Sequence, residues 1–417
     1  MTPPPTPVAA APIPAIPPIP DTLGRDFVFV GSEPWDCAAR TSKHHLARAV
    51  ARRGGRVLYV ENLSMRSLGS GGGRDAGKVL RGLRRAARGA RPAADTPGVH
   101  ALAPLYLPFP GSAAARAANR RLVAWQIRRA GARLGFDRPV FVYFVPTADM
   151  LRGMLGERLS AYYIVDNFAA FSDVAGDAVA ALEDDALRGA DAVFATAPSL
   201  ADARRARRPD IRLALHGVDL EHFAAALSDA TAIPPELAAL PAGPRIGFTG
   251  TIDRDRMDFD LVAALARRRP DWRFVLVGRA LAPMPGPFAG LANVHYLGER
   301  SYDDLPGWLK GFDIGLIPYV DSPLTRDVNP LKLREYLAAG LPVVATAIPA
   351  TLAYAPPARC AAGGDVDGFE AAVAAQLGAG RPPAATLRAA VAAEGWDIRA
   401  EAFLAGLAEA NIARREP

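Results

Sequence analysis

The sequence predicts an α/β protein with two doubly wound domains facing a central cleft, and three observations carry that expectation. Short apolar runs alternate with longer amphipathic stretches along the first half of the chain. The pattern then fails over residues 224–244, where prolines cluster at 234–235, 241 and 244, and it restarts afterwards. Finally, the stretch 327–344, D-V-N-P-L-K-L-R-E-Y-L-A-A-G-L-P-V-V, joins a capped helix to a buried strand. Alternation of this kind implies a parallel sheet covered by helices on both faces.

In chain order, strands are expected at 26–30, 56–60, 99–103, 139–144, 161–165, 192–196 and 211–215. Helices are expected between them at 42–53, 78–90, 113–134, 177–188 and 199–207. The second set has strands at 245–248, 272–277, 294–297, 314–318 and 342–345, with helices at 259–269, 302–311 and 330–339. A last helix is expected over 396–415 on the apolar positions Ile398, Phe403, Leu404, Leu407 and Ile412. The organisation is therefore a Pro/Ala-rich leader (1–20), a first Rossmann-like domain (21–223), a linker (224–244), a second Rossmann-like domain (245–395) and a terminal helix (396–417) crossing back to the first. Nine prolines in the leader favour extended, disordered polyproline.

The chain has 417 residues, half of them apolar and 22% charged, which suits two soluble domains with a core each. No apolar run approaches the roughly 20 residues that span a bilayer. Cys37 and Cys360 lie far apart without metal-ligand spacing, so reduced thiols in a cytoplasmic protein are expected. The net charge of +6 is concentrated: between Arg74 and Arg91 seven basic residues stand against the single acid Asp75. Lys78, Arg81, Arg84, Arg85 and Arg88 interleave there with Val79, Leu80, Leu83 and Ala87. A basic amphipathic helix of this kind reads as a weak, salt-sensitive dock on anionic membrane. No aromatic residue lies between Arg74 and Arg91 on which bases could stack, which argues against nucleic acid.

The chemistry concentrates near residue 330. Asn329 reads as an N-cap and Pro330 as the first helical residue, and Gly340 and Pro342 end the helix. A helix start is a seat for anions, Lys332 adds a full charge within the first turn, and Glu335 on the same face can accept bonds from sugar hydroxyls. Together they describe a pocket for a phosphorylated sugar or a nucleotide. The Gly250–Thr251 turn after Phe248 offers close backbone approach to phosphate, with Arg254 and Arg256 as further cations. No G-x-G-x-x-G follows a strand, which disfavours hydride transfer. The D-x-D pairs Asp253/Asp255, Asp258/Asp260 and Asp365/Asp367 are read as chance, with no metal expected. In the first half, Asp166 ends a strand where it would face the cleft, to position an acceptor hydroxyl, act as a base or merely cap a turn. Arg40, Lys43, His44 and His45, with Trp35, form a loop and helix start that could shape an acceptor pocket.

In this order, the motifs resemble GT-B glycosyltransferases, particularly the family-four-like bacterial enzymes of cell-wall, capsular and exopolysaccharide synthesis. The matching pieces are E-P-W-D…T-S-K-H-H-L-A-R-A-V-A-R-R-G-G-R-V-L-Y-V-E-N, Y-Y-I-V-D-N-F, A-L-R-G-A-D-A-V-F-A-T-A-P-S-L, H-G-V-D-L-E-H-F, R-I-G-F-T-G-T-I-D, N-V-H-Y-L-G-E-R-S-Y-D-D-L-P-G-W-L and N-P-L-K-L-R-E-Y-L-A-A-G-L-P-V-V. The resemblance implies a nucleotide diphosphate sugar donor held without metal by Gly250, Thr251, Arg254, Arg256, Asn329, Pro330 and Leu331, and transfer with retention to a saccharide or lipid-linked acceptor. It further implies that Asp327 and Glu335 are the E-x7-E pair, aspartate replacing the first glutamate, with Glu335 on the ribose and Asp327 on the donor sugar. Three features depart from the family: that aspartate, the missing lysine of K-G after the first strand of the second domain, and H-G-V-D at 216–219 in place of N-G-V-D. A sugar-nucleotide epimerase and a non-catalytic binding protein of the same fold are the alternatives.

Overall fold

A computed structural model describes residues 16–61, 89–106 and 113–414. Within them the strands form one eight-stranded and one six-stranded sheet. The first sheet has the order β3-β4-β2-β1-β5-β6-β7-β8. Its strands are β1 (Asp26–Val30), β2 (Arg56–Val60), β3 (Arg91–Pro92), β4 (Val99–Leu102), β5 (Val140–Tyr143), β6 (Leu159–Ile164), β7 (Ala192–Ala195) and β8 (Arg212–Leu213). All pair in parallel except β3, a short antiparallel edge on β4 where a proline is tolerated because no ladder hydrogen bond is needed. The second sheet, order β11-β10-β9-β12-β13-β14, is parallel throughout. It comprises β9 (Arg245–Thr249), β10 (Arg273–Val277), β11 (Val294–Tyr296), β12 (Ile314–Ile317), β13 (Val343–Thr346) and β14 (Arg359–Ala361).

D-F-V-F-V, V-F-V-Y and I-G-L-I become strands because both faces are covered, so every position of β1, β5 and β12 is buried. The main covering helices are α1 (Ser42–Arg52), α2 (Ala113–Arg133), α3 (Gly176–Gly189), α4 (Phe259–Arg268), α5 (Leu331–Ala338), α6 (Val366–Ala379) and α7 (Trp396–Ala413). In each sheet the strand order reverses at one point, between β1 and β5 and between β9 and β12. Ligands of such sheets sit beyond the carboxyl ends of the strands at that reversal.

Each sheet has its own core, and α7 belongs to the first one. Phe403 meets Phe194 edge-on at 4.8 Å and Tyr163 at 5.5 Å, so the chain leaves the first domain, builds the second and returns. The two crossings touch: Val218 N–H donates to Glu394 O at 2.9 Å beside Trp396.

Several expectations are corrected. Ile398 and Ile412, expected on the buried side of α7, are 51% and 47% exposed, and Trp396, Ala400 and Ala410 take their place. The expected leader does not run loosely to residue 20, because Ile19 is buried in the first core. The linker contains a helix at Pro235–Ala238, and α6 and β14 have no counterpart among the expected elements. The basic helix expected at 78–90 falls outside the described residues except at its last two positions.

Candidate functional site at the facing strand ends

At the second reversal β9 is followed by Gly250, whose φ of 121° suits only glycine. A Cβ there would stand 3.2 Å from Lys332 Cε and 3.3 Å from Nζ, so the bare turn lies directly under the ammonium. Gly278, at φ 145° after β10, packs so closely on Gly250 that its Cβ would meet the Gly250 carbonyl oxygen at 1.9 Å. Gly278 thus lets the two turns pack together, and Gly250 leaves its own turn bare beside Lys332. That lysine is fixed rather than solvated. Its Nζ donates to Tyr319 Oη at 2.8 Å and lies 4.6 Å over the Phe248 ring. Tyr319 follows β12 and offered no motif to find it by. Thr251, at the same turn, is exposed.

The helix bearing Lys332 begins one residue later than expected. Pro330 is the N-cap and Leu331 the first helical residue, and no side chain caps the start. The expected cap, Asn329, is buried and committed elsewhere. Its Nδ2 donates to Thr196 O at 2.6 Å in the other domain, and its Oδ1 accepts from Arg334 at 2.7 Å. Its carbonyl accepts from His216 Nδ1 at 2.9 Å. Asn329 is therefore a tie between domains, while the open helix start keeps its N–H groups and partial positive charge for an anion. One turn on, Glu335 is half-buried, and its carboxyl has no hydrogen-bond or ion-pair partner among the described residues. Burial lifts its carboxyl to about 7, against the opposing pull of Lys332.

The opposing wall comes from the carboxyl ends of the first sheet. Asp166, after β6, pairs with Arg256 at 3.1 Å, and Arg256 also reaches Asp253 at 3.5 Å. Burial holds the Asp166 carboxyl above the usual range despite Arg256 and Lys43. Its neighbour Asn167 donates to Asp327 at 3.1 Å, so the expected sugar-binding aspartate sits at the domain junction. Arg40 pairs with Asp303 of the second domain at 3.1 Å and lies over the Tyr302 ring at 4.7 Å.

Not every expected residue opens onto the cleft. Arg256 is engaged by two carboxylates rather than standing free for phosphate, and Arg254 is exposed and lies over the Phe259 ring at 5.2 Å. Lys43 is buried and paired with Glu33 at 2.6 Å. The two histidines turn inward. His44 Nδ1 accepts from Thr41 N–H at 3.1 Å, its ring stacks on Tyr59, and burial lowers its pKa to about 4. His45 stacks on Trp396 at 4.8 Å, with its pKa driven well down by burial. Both serve packing, which a lone histidine does more often than not.

Two of the D-x-D pairs begin with helix caps: Asp258 accepts from Leu261 N–H and Asp365 from Gly368 N–H, each at 2.9 Å. Lys78, Arg81, Arg84, Arg85 and Arg88 lie outside the described residues. A cavity of about 380 Å³ lies elsewhere in the domain junction, between Ser199, Asn329, Arg334, Tyr354 and Glu394.

Two doubly wound domains with facing strand ends and a cation-lined turn in the second define the GT-B fold. Residues 243–378, which hold Gly250, Lys332 and Glu335, match the family model described as glycosyl transferases group 1. TuaH of Bacillus subtilis (strain 168), provisionally named a teichuronic acid biosynthesis glycosyltransferase, is 38% identical over 109 residues, 25% of this chain and 27% of that protein. The lipopolysaccharide core biosynthesis mannosyltransferase LpsB of Rhizobium meliloti (strain 1021) is 30% identical over 175 residues, 38% of this chain and 46% of that one. These matches span less than half the length of either relative. The sucrose-phosphate synthase of Thermosynechococcus elongatus superposes over 93% of this chain and 99% of its own, with a TM-score of 0.68 at 15% identity, a likeness of fold.

Proposed function

We propose that the chain is a glycosyltransferase of bacterial polysaccharide synthesis that takes its sugar from a nucleotide diphosphate donor. The observation that carries the reading is the ammonium of Lys332, held over the bare Gly250 turn at the start of α5. Transfer breaks the bond from the sugar anomeric carbon to the donor diphosphate and forms one from that carbon to an acceptor hydroxyl oxygen. The hydroxyl proton passes to a base, and negative charge develops on the departing diphosphate. A preformed cation and free backbone N–H groups stabilise that charge without reorganising, which is the largest contribution such a site can make. In this reading Glu335 accepts from hydroxyls of the nucleotide ribose and Asp327 contacts the donor sugar. Asp166, at the end of β6, stands on the acceptor side. It positions or deprotonates the acceptor once released from Arg256. In this reading the acceptor oxygen attacks from the face that the diphosphate leaves, so transfer proceeds with retention and without a metal, and the acceptor is a saccharide or lipid-linked. The names of the two relatives, both in bacterial polysaccharide synthesis, support that acceptor class.

The test begins with a panel of nucleotide sugars in thermal shift, since a donor that binds the native state alone raises the melting temperature. With the donor so found, Lys332→Ala should lower kcat by about 10²–10³, the scale of losing one preorganised donor to transition-state charge. Glu335→Ala should chiefly weaken donor binding. Near-normal turnover by both variants would remove the proposed donor site. Conversion of donor alone to an isomerised sugar nucleotide would mark an epimerase instead.

A further inference from the structure

Helix α2 presents a face that neither the fold nor the donor site uses. Its sequence, A-A-A-R-A-A-N-R-R-L-V-A-W-Q-I-R-R-A-G-A-R, holds six arginines and no carboxylate. Val123, Ala124, Ile127 and Ala130 are buried in the first core. Arg121, Trp125, Arg128, Arg129 and Ala132, spaced by one and two turns, form the exposed side. Arg121, Arg128, Arg129 and Arg133 have no ion pair with any described residue. Arg129 lies over the Trp125 ring at 5.5 Å. Trp125 is 57% exposed, whereas Trp35, Trp272, Trp308 and Trp396 are at most 5% exposed. Gln126 fastens the neighbouring segment to the helix by two 2.8 Å bonds with the backbone of Leu105. In that segment Leu105 and Tyr106 are 38% and 37% exposed.

We infer that this face of α2 docks on an anionic lipid surface. An arginine-rich face without a single acid is complementary to anionic headgroups, to which each nearby arginine adds a salt-sensitive attraction. A lone exposed tryptophan among arginines is what the bilayer interface favours, with the ring at headgroup depth and the arginine stems snorkelling beside it. The same four cations without the aromatic group would leave only a diffuse charge. Topology supplies the orientation. As the crossover from β4 to the parallel strand β5, α2 runs back along the sheet. Its first turn therefore lies at the carboxyl edge, where the cleft opens. Docking along α2 brings the rim of the first domain to the membrane without covering the facing strand ends.

The tryptophan is its own reporter, because the other four are buried. Full-length protein is mixed with vesicles of phosphatidylcholine alone, or of phosphatidylcholine with an equal amount of phosphatidylglycerol. Mixed vesicles should shift the emission to the blue and protect it from acrylamide, and salt should reverse both effects. Arg128→Gln with Arg129→Gln should weaken partitioning about 25-fold, at about fivefold for each arginine. Trp125→Phe should abolish the shift while leaving the thermal melt unchanged. Failure to bind mixed vesicles overturns the inference. So does co-sedimentation with unshifted emission and no loss in the double variant, which would place the contact on another face. Binding to single-stranded nucleic acid with the same arginine dependence, and none to vesicles, would reassign the face.

Discussion

Glu335 shows how one carboxyl reports its own environment. Its carboxyl lies a turn beyond Lys332, half-buried and without a described partner, and burial lifts it to about 7. A carboxyl raised above its unfolded value of 4.5 stabilises the fold fully below that value. The contribution disappears as pH rises through the folded value, because the buried charge must then be carried. The window is therefore pH 4.5 to 7, and the full effect is at most about 3 kcal/mol, less for a group that keeps some solvent. Glu335→Gln should raise the melting temperature at pH 8 and leave it unchanged at pH 5, measured without nucleotide. Equal melting temperatures at both values would mean that the carboxyl is already satisfied. Ligand binding has the opposite slope. Accepting ribose hydroxyls needs the ionised form, so donor affinity of the native protein should rise as pH increases from 6 to 8. The group that costs stability when empty is the one a donor would use.

At the scale of the element, α5 separates what composition shows from what it hides. The strands β1, β5, β9, β12 and β13 and the helices α1, α3 and α4 follow from apolar runs and periodicity, because each is buried in a way its own residues announce. The start of α5 was legible only to within one residue. N-P-L-K contains both a good cap and a proline suited to the first turn, and local preference alone places Asn329 outside and Pro330 inside. A partner 133 residues away overrides it: Asn329 is drawn to the carbonyl of Thr196, and Pro330 becomes the boundary. Lys332 was legible from the motif, but Tyr319, which fixes it, was not, because nothing in the strand β12 marks its following residues. The short β3 and β14 were missed for want of length. Helix α6 was missed although its buried Phe369, Val373 and Gln376 recur at helical spacing. Asn329→Ala tests the override. It strips a partner from both the Thr196 carbonyl and the Arg334 guanidinium, so stability should fall by about 1–3 kcal/mol in denaturant titration. A midpoint unchanged from the native protein would show that water replaces the amide at no cost.

For the whole molecule the question is what keeps two separate cores facing each other. Beside the apolar contact of Leu331 with the first core, the ties among the described residues are mainly polar. Near the paired crossings at Val218 and Glu394 sit the buried ones, Asn329 to Thr196 and His216 to Asn329. Farther out are Asp166–Arg256, Asn167–Asp327 and Arg40–Asp303. These outer contacts differ in strength. The side chain of Asp303 is 71% exposed, and an ion pair with so exposed a partner contributes about 0–1 kcal/mol and fades with salt. Asp166 and Arg256 are each less than a quarter exposed and share a stronger charge-assisted bond. The junction is thus firm at the crossings and weakly latched at the outer strand ends, an arrangement that lets the domains part about residues 218 and 395. Arg256→Ala removes the firmer latch and leaves Asp166 without its cation. In small-angle scattering the variant should show a larger radius of gyration than the native protein, and salt should enlarge the native protein in the same direction by a smaller amount. The melting of each core should be unaffected, because neither core contains the latch. If the radius stays the same in the variant and in high salt, the crossings and the Asn329 tie alone hold the domains together. The cleft would then have to admit its ligands without opening.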